Sequence, residues 1–112
     1  MYICSVRDIK TYKRYFLDFY NSLPEKAQQK IDYALMLLKV QNRISEKFVK
    51  NMGDGLYELR AESASDIFRV FFIFDKGNIV ILFNGFQKKT QKTPTGEIEK
   101  AKRIMREYYG SK

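Results

Sequence analysis

The chain has no histidine and a single cysteine among its 112 residues. Without histidine, neither a Ser-His-Asp triad nor a Cys-His pair can be built, and no imidazole is available to ligate a metal. One cysteine completes neither a disulfide nor a zinc set, so no metal and no cofactor are expected, and a reducing cytosol is the matching compartment. Cys4 lies in an apolar N-terminal run with no histidine to activate it, and reads as a buried, inert thiol. No apolar run approaches the ~20 residues needed to cross a membrane. The start "MYICSVRDIK" lacks the long apolar segment of a signal peptide. A cytoplasmic protein with no membrane partner is expected, and any chemistry falls to Lys, Arg, Tyr, Asp and Glu.

What the chain does contain is apolar bulk and positive charge. Apolar residues make up 45%, with eight Tyr and nine Phe, enough to fill one core, so residues 1–112 are expected to form a single domain. The net charge of +8 is unevenly spread: positions 1–50 carry ten basic and five acidic groups, 51–87 three and five, and 88–112 eight and three. A basic surface of this kind suits a polyanion, either nucleic acid or an acidic protein, although it serves solubility as well.

The pattern along the chain predicts elements in the order β-α-α-β-β-β-α. Residues Tyr2 to Val6 are apolar enough for a first strand. Asp8 can cap a helix from Ile9 to about Tyr20, with Ile9, Tyr12, Tyr15, Phe16, Phe19 and Tyr20 at helical spacing. Ser22 and Glu25 have capping-box spacing for a second helix to about Gln41, whose inner stripe is Ala27, Ile31, Ala34, Leu35 and Leu38. After the glycine-bearing turn "NMGDG", strands are expected over Leu56 to Glu62, Ile67 to Asp75 and Asn78 to Gln87. Their short linkers, "SAS" and "DKGN", imply an antiparallel meander. Thr93 and Pro94 then open a final helix with Ile98, Ala101, Ile104, Met105, Tyr108 and Tyr109 inward. The fold class is α+β, a sheet with helices packed on one face.

Strand alternation turns Glu58, Arg60 and Glu62 away from Tyr57, Leu59 and Ala61, and turns Arg69 away from Phe68, Val70 and Phe72. Both arginines can then share one sheet face. A guanidinium inside so apolar a strand needs a partner. That partner is either a cross-strand carboxylate, Glu58 or Glu62, or a bound phosphate. A second feature is "GFQKKTQKTPTGEIEKAKRI", where Lys88, Lys89 and Lys92 crowd the joint between the last strand and the last helix. They read either as a solvated basic loop or as one wall of an anion pocket beside a helix N-terminus. Crowding lowers a lysine's pKa and makes proton transfer conceivable.

At these residues the chain resembles the RelE/ParE toxin superfamily of bacterial type II toxin–antitoxin systems, in its HigB-like, phage-derived branch. The similarity runs through "DGLYELRAE", "FRVFFIF" and "NGFQKKTQKTPTGEIEKAKRI", from about Gly55 to Met105. It implies a RelE-like fold and an mRNA interferase: a ribosome-dependent endoribonuclease that cuts messenger in the A site by 2′-hydroxyl attack on the adjacent phosphate. Arg60 and Arg69 align with the family's strand arginines and are assigned to phosphate and transition-state contacts. Lys88 and Lys89 align with its basic residues after the last strand and are assigned to proton transfer; Lys92 and Lys50 are assigned to RNA binding. The implied partners are mRNA, the ribosome and a cognate antitoxin of helix-turn-helix type. Where many HigB-like chains carry histidine this one has Asn84, and near the C-terminus it offers Tyr108 and Tyr109, whose spacing suits core packing. Two other readings accompany this one: a ParE-like toxin that poisons DNA gyrase without chemistry, and a binding module of the same fold without activity.

Overall fold

The computed structural model describes residues 5–88 and 93–112. Its elements are β1 (Asp8–Thr11), α1 (Tyr15–Asn21), α2 (Glu25–Val40), β2 (Val49–Gly53), β3 (Leu56–Ser63), β4 (Asp66–Asp75), β5 (Ile79–Lys88) and α3 (Thr95–Gly110). The strands form one sheet in the order β1-β5-β4-β3-β2, antiparallel from β2 to β5, with β1 parallel to β5 at the far edge. The expected α+β class and the central meander hold.

Several details differ from the sequence reading. Of the strand expected over Tyr2 to Val6, Tyr2 to Cys4 lie outside the described residues, and Ser5 and Val6 are not in a strand. The first strand lies later, where Asp8 to Thr11 pair with Ile79 to Leu82. The helix expected from Ile9 is therefore confined to α1, because residues 8–11 complete the ladder of β5 and Lys13, at φ 53°, turns the chain between the two elements. Helical spacing misled here: Ile9 packs against one side of the sheet, Tyr12 and Tyr15 against the other.

The capping box does not form. Ser22 is the C-cap of α1, its hydroxyl donating to the Phe19 carbonyl at 2.6 Å, and α2 starts after Pro24 with no side-chain cap. On α2 the buried residues are Ala27, Ile31, Ala34, Leu37 and Leu38, with Leu35 only half-buried. Asn51 to Gly53, within the stretch 51–55 expected to be turn, belong to β2 (Val49–Gly53), an edge strand whose polar Lys50 and Asn51 gave no apolar signal.

A further difference places the site. Helices cover both faces of the sheet rather than one. Phe16, Ala27, Ile31, Ala34 and Leu38 of α1 and α2 pack on Leu59, Phe68, Val70, Phe72, Val80 and Leu82. On the opposite face Ala101, Ile104 and Met105 of α3 pack on Leu56, Phe71, Ile73, Ile81 and Phe83. The cause lies in β4, where Val70 to Ile73 are all buried: a strand apolar on both sides needs cover on both. Tyr109, expected inward, is 49% exposed. A β-bulge between Val70 and Phe72 shifts the register of β5. Just beyond it, Gly85 faces Phe19 so closely that a Cβ would lie 2.4 Å from the ring, and only glycine lets α1 seat there.

Candidate functional site

Register decides which polar residues share the α3 face. Lys50 pairs with Glu58, Arg60 with Arg69, Arg69 with Phe86, and Ile67 with Lys88. Because residues two apart on a strand share a side, Lys50, Glu58, Arg60, Arg69 and Lys88 all lie on the face that carries α3. Here α3 covers the apolar rows, and its approach runs directly over the charged end: Thr93 Oγ1 donates to Glu58 Oε2 at 2.9 Å.

Glu58 is the centre of the cluster. It is fully buried, and its Oε1 stands 3.4 Å from Arg69 Nε and 3.5 Å from Arg60 Nε. These are charge pairs without hydrogen-bond geometry, since neither Nε nor Oε1 has a hydrogen-bond partner among the described residues. The guanidinium of Arg69, 5% exposed, also donates from Nη1 to the Phe68 carbonyl at 3.0 Å. Of the two carboxylates that the sequence offered Arg69, the structure selects Glu58; Glu62 is exposed. Glu58 is thus the central residue of the cluster, which the sequence reading held only as one alternative partner of Arg69. Its signal was a carboxylate two residues before Arg60 on the same strand face.

The positive charges exceed the negative one. Burial pushes the pKa of Arg69 down, Glu58 opposes that, and Arg60 adds to it; an arginine still stays charged. Lys88 is 6% exposed, and burial first, then Arg69, lowers its pKa below the usual 10.5, with Glu58 acting the other way. Among the described residues one buried carboxylate thus stands with Arg60, Arg69 and Lys88, a balance of charge that suits an added anion. The N-terminus of the 16-residue α3 begins beside it at Thr95, adding N–H groups and a positive dipole end. A cleft of ≈ 410 Å³ lined by Glu46, Lys50, Asn51 and Arg60 opens next to the cluster, which places Lys50 at its rim. Lys89 and Lys92 lie outside the described residues.

The C-terminal tyrosines are not part of this group. Tyr108 donates to Asp75 Oδ2 at 2.5 Å, which lifts its pKa to about 12, and its ring meets Tyr12 edge-on at 5.2 Å. At 1.5 Å per residue it sits about 20 Å along α3 from Thr95. Asn84, buried near the bulge, has neither amide atom hydrogen-bonded among the described residues.

The lowered pKa of Lys88 has a measurable sign. An anion beside the ammonium favours the protonated form, so binding takes up a proton whenever free Lys88 is partly neutral. Affinity for sulfate is expected to rise as pH falls from about 10.5 toward the lowered value of Lys88, and to level off below it. Titration calorimetry over about pH 7 to 10 measures this. Lys88→Arg, which stays charged, should flatten the profile; an unchanged slope in that variant places the titrating group elsewhere.

Residues 18–106 match the family model described as Phage derived protein Gp49-like (DUF891). No curated protein matches the chain significantly. Among solved structures it is similar to a chain of the archaeal RelE-RelB complex from Pyrococcus horikoshii OT3, with 18% identity, a TM-score of 0.52, and 71% of this chain and 92% of that one covered. The likeness shows a RelE-like fold, and, with most of its length inside the family model, this chain belongs to the phage-derived Gp49-like family.

Proposed function

We propose that this protein is the toxin of a type II toxin–antitoxin pair, of HigB-like kind, and that it acts as a ribosome-dependent mRNA endoribonuclease. The observation that carries the reading is the buried cluster in which Arg69 and Lys88, with Arg60, outnumber their single carboxylate. A phosphodiester supplies the missing anion, and the family membership and RelE-like fold agree with that use.

The chemistry follows from the residue types. A 2′-hydroxyl attacks the adjacent phosphorus, the P–O5′ bond breaks, and the products are a 2′,3′-cyclic phosphate and a 5′-hydroxyl. Negative charge grows on the phosphoryl oxygens in the pentavalent state, and Arg60 and Arg69 hold it; one such preorganised donor contributes about 3–4 kcal/mol. Lys88, with its lowered pKa, has a neutral fraction that accepts the 2′-hydroxyl proton. Lys89 protonates the departing 5′-oxygen. Lys50 and Lys92 hold flanking phosphates. These groups supply every proton and counter-charge in the scheme without a metal. The antitoxin, a small helix-turn-helix protein, covers the basic face; the similar fold occurs in a complex of RelE with RelB.

Controlled expression followed by mapping of messenger ends tests the reading. Cuts phased with the reading frame inside coding sequence are expected. DNA damage with intact messenger would instead assign the protein to gyrase poisoning.

A further inference from the structure

A second cleft, of ≈ 270 Å³, opens on the other side of Arg60, between α2 and β3. Its walls include Lys30, Tyr33, Lys47, Phe48, Arg60 and Glu62. Tyr33 is 53% exposed on an otherwise core-forming helix, a large aromatic surface that folding leaves in water. Its ring meets Phe48 at 6.2 Å and 68°, and Lys47 Nζ lies 5.7 Å from the centre of the Phe48 ring. Among the described residues neither Lys30 nor Lys47 is in an ion pair, and the lining carries three basic residues, Lys30, Lys47 and Arg60, to one acidic residue, Glu62. Arg60 lines this cleft and the one beside the anion cluster, and so joins the two.

We infer that the Tyr33–Phe48 cleft is a stacking subsite for one unpaired base of the RNA strand whose phosphates the Arg60–Arg69–Lys88 cluster grips. This rests on the ribonucleolytic reading above for the identity of the strand. Rings interleaved with cations are what a single strand needs, a π-face for the base and positive charge for its backbone. An acidic peptide would use the lysines and leave the Tyr33 face without purpose. The volume, just under the ~300 Å³ at which small-molecule pockets begin, suits one base rather than a larger ligand. Tyr33 is a binding residue here and takes no part in proton transfer.

The probes are an octa-adenylate RNA and an abasic ribose-phosphate strand of equal length and charge, each titrated by anisotropy at several salt concentrations. The native protein should bind the adenylate about tenfold more tightly than the abasic strand. Tyr33→Ala should erase most of that ratio, and Tyr33→Phe should keep it. The salt dependence should stay unchanged in Tyr33→Ala, since no phosphate contact is lost, and should flatten in Lys47→Ala. Exposed as it is, Tyr33 can be replaced without loss of the fold. Equal binding of both strands by the native protein, with Tyr33→Ala unchanged, overturns the subsite and leaves the ribonuclease reading standing. Failure to bind either strand, with messenger left uncut in cells, overturns both. An octa-glutamate peptide whose binding depends on Tyr33 while RNA binding does not would give the cleft to a protein partner and overturn the inference.

Discussion

Glu58→Gln should lower the unfolding midpoint by about 10–20 °C, the largest stability loss expected from any isosteric change in this protein. The substitution keeps the shape and can keep the bond from Thr93, but it removes the carboxylate that, among the described residues, pairs with the buried Arg69. Taking one partner from a buried ion pair costs about 3–5 kcal/mol, because the remaining charge stays out of water without compensation. Against a domain stability of about 5–15 kcal/mol that is a large share. The loss is asymmetric. Arg60 keeps partial contact with solvent and can swing outward, whereas Arg69 is 5% exposed. A double replacement, Glu58→Leu with Arg69→Met, removes both charges and should recover much of the midpoint, as apolar substitutes for buried pairs commonly do. Thermal denaturation of the three proteins decides it. A Glu58→Gln midpoint equal to that of the native chain would remove Glu58 from the centre of the site.

Arg69→Ala should reduce messenger cutting by about 10²–10³-fold while leaving a folded protein. The two variants separate because, among the described residues, Glu58 has two cationic partners and each arginine has one carboxylate: without Arg69, Glu58 retains Arg60 and Thr93. The stability cost is then mainly a cavity beside Phe86, the cross-strand neighbour of Arg69. The catalytic loss arises because a fixed guanidinium opposite the phosphate acts mainly as negative charge builds in the transition state. Cleavage measured on programmed ribosomes, with circular dichroism as the control for folding, tests both halves. Full-rate cutting by a folded Arg69→Ala protein would move the active site elsewhere.

The site was partly legible beforehand. Alternation turned Arg60 and Arg69 each away from the apolar side of its own strand, so both could share one sheet face, and the pairing of Arg60 with Arg69 is what brings them together. Alternation could not place Lys88 there. The β5 bulge shifts the pairing near Phe72, so the side on which Lys88 emerges depends on a register visible only once β4 and β5 are paired. Residues 8–20 show the converse. A strand, a turn at Lys13 and a short helix together mimicked one amphipathic helix, and the parallel ladder to β5 settled the matter through contacts some seventy residues away in sequence.

The sequence by itself determined that this chain has no histidine chemistry, that its core is aromatic and aliphatic, that its charge suits polyanions, and that each strand arginine points away from its own strand's apolar side. Those properties belong to composition and to the local geometry of a strand. Only the tertiary structure decided that both faces of the sheet are covered, that Glu58 is enclosed between Arg60, Arg69 and Thr93, that Lys88 is buried with a lowered pKa, and that Tyr33 is left to water beside Phe48. Each of these depends on which distant residues are brought within a few ångströms. Burial and charge pairing are properties of that proximity, so a change of strand register would alter all of them without altering a residue.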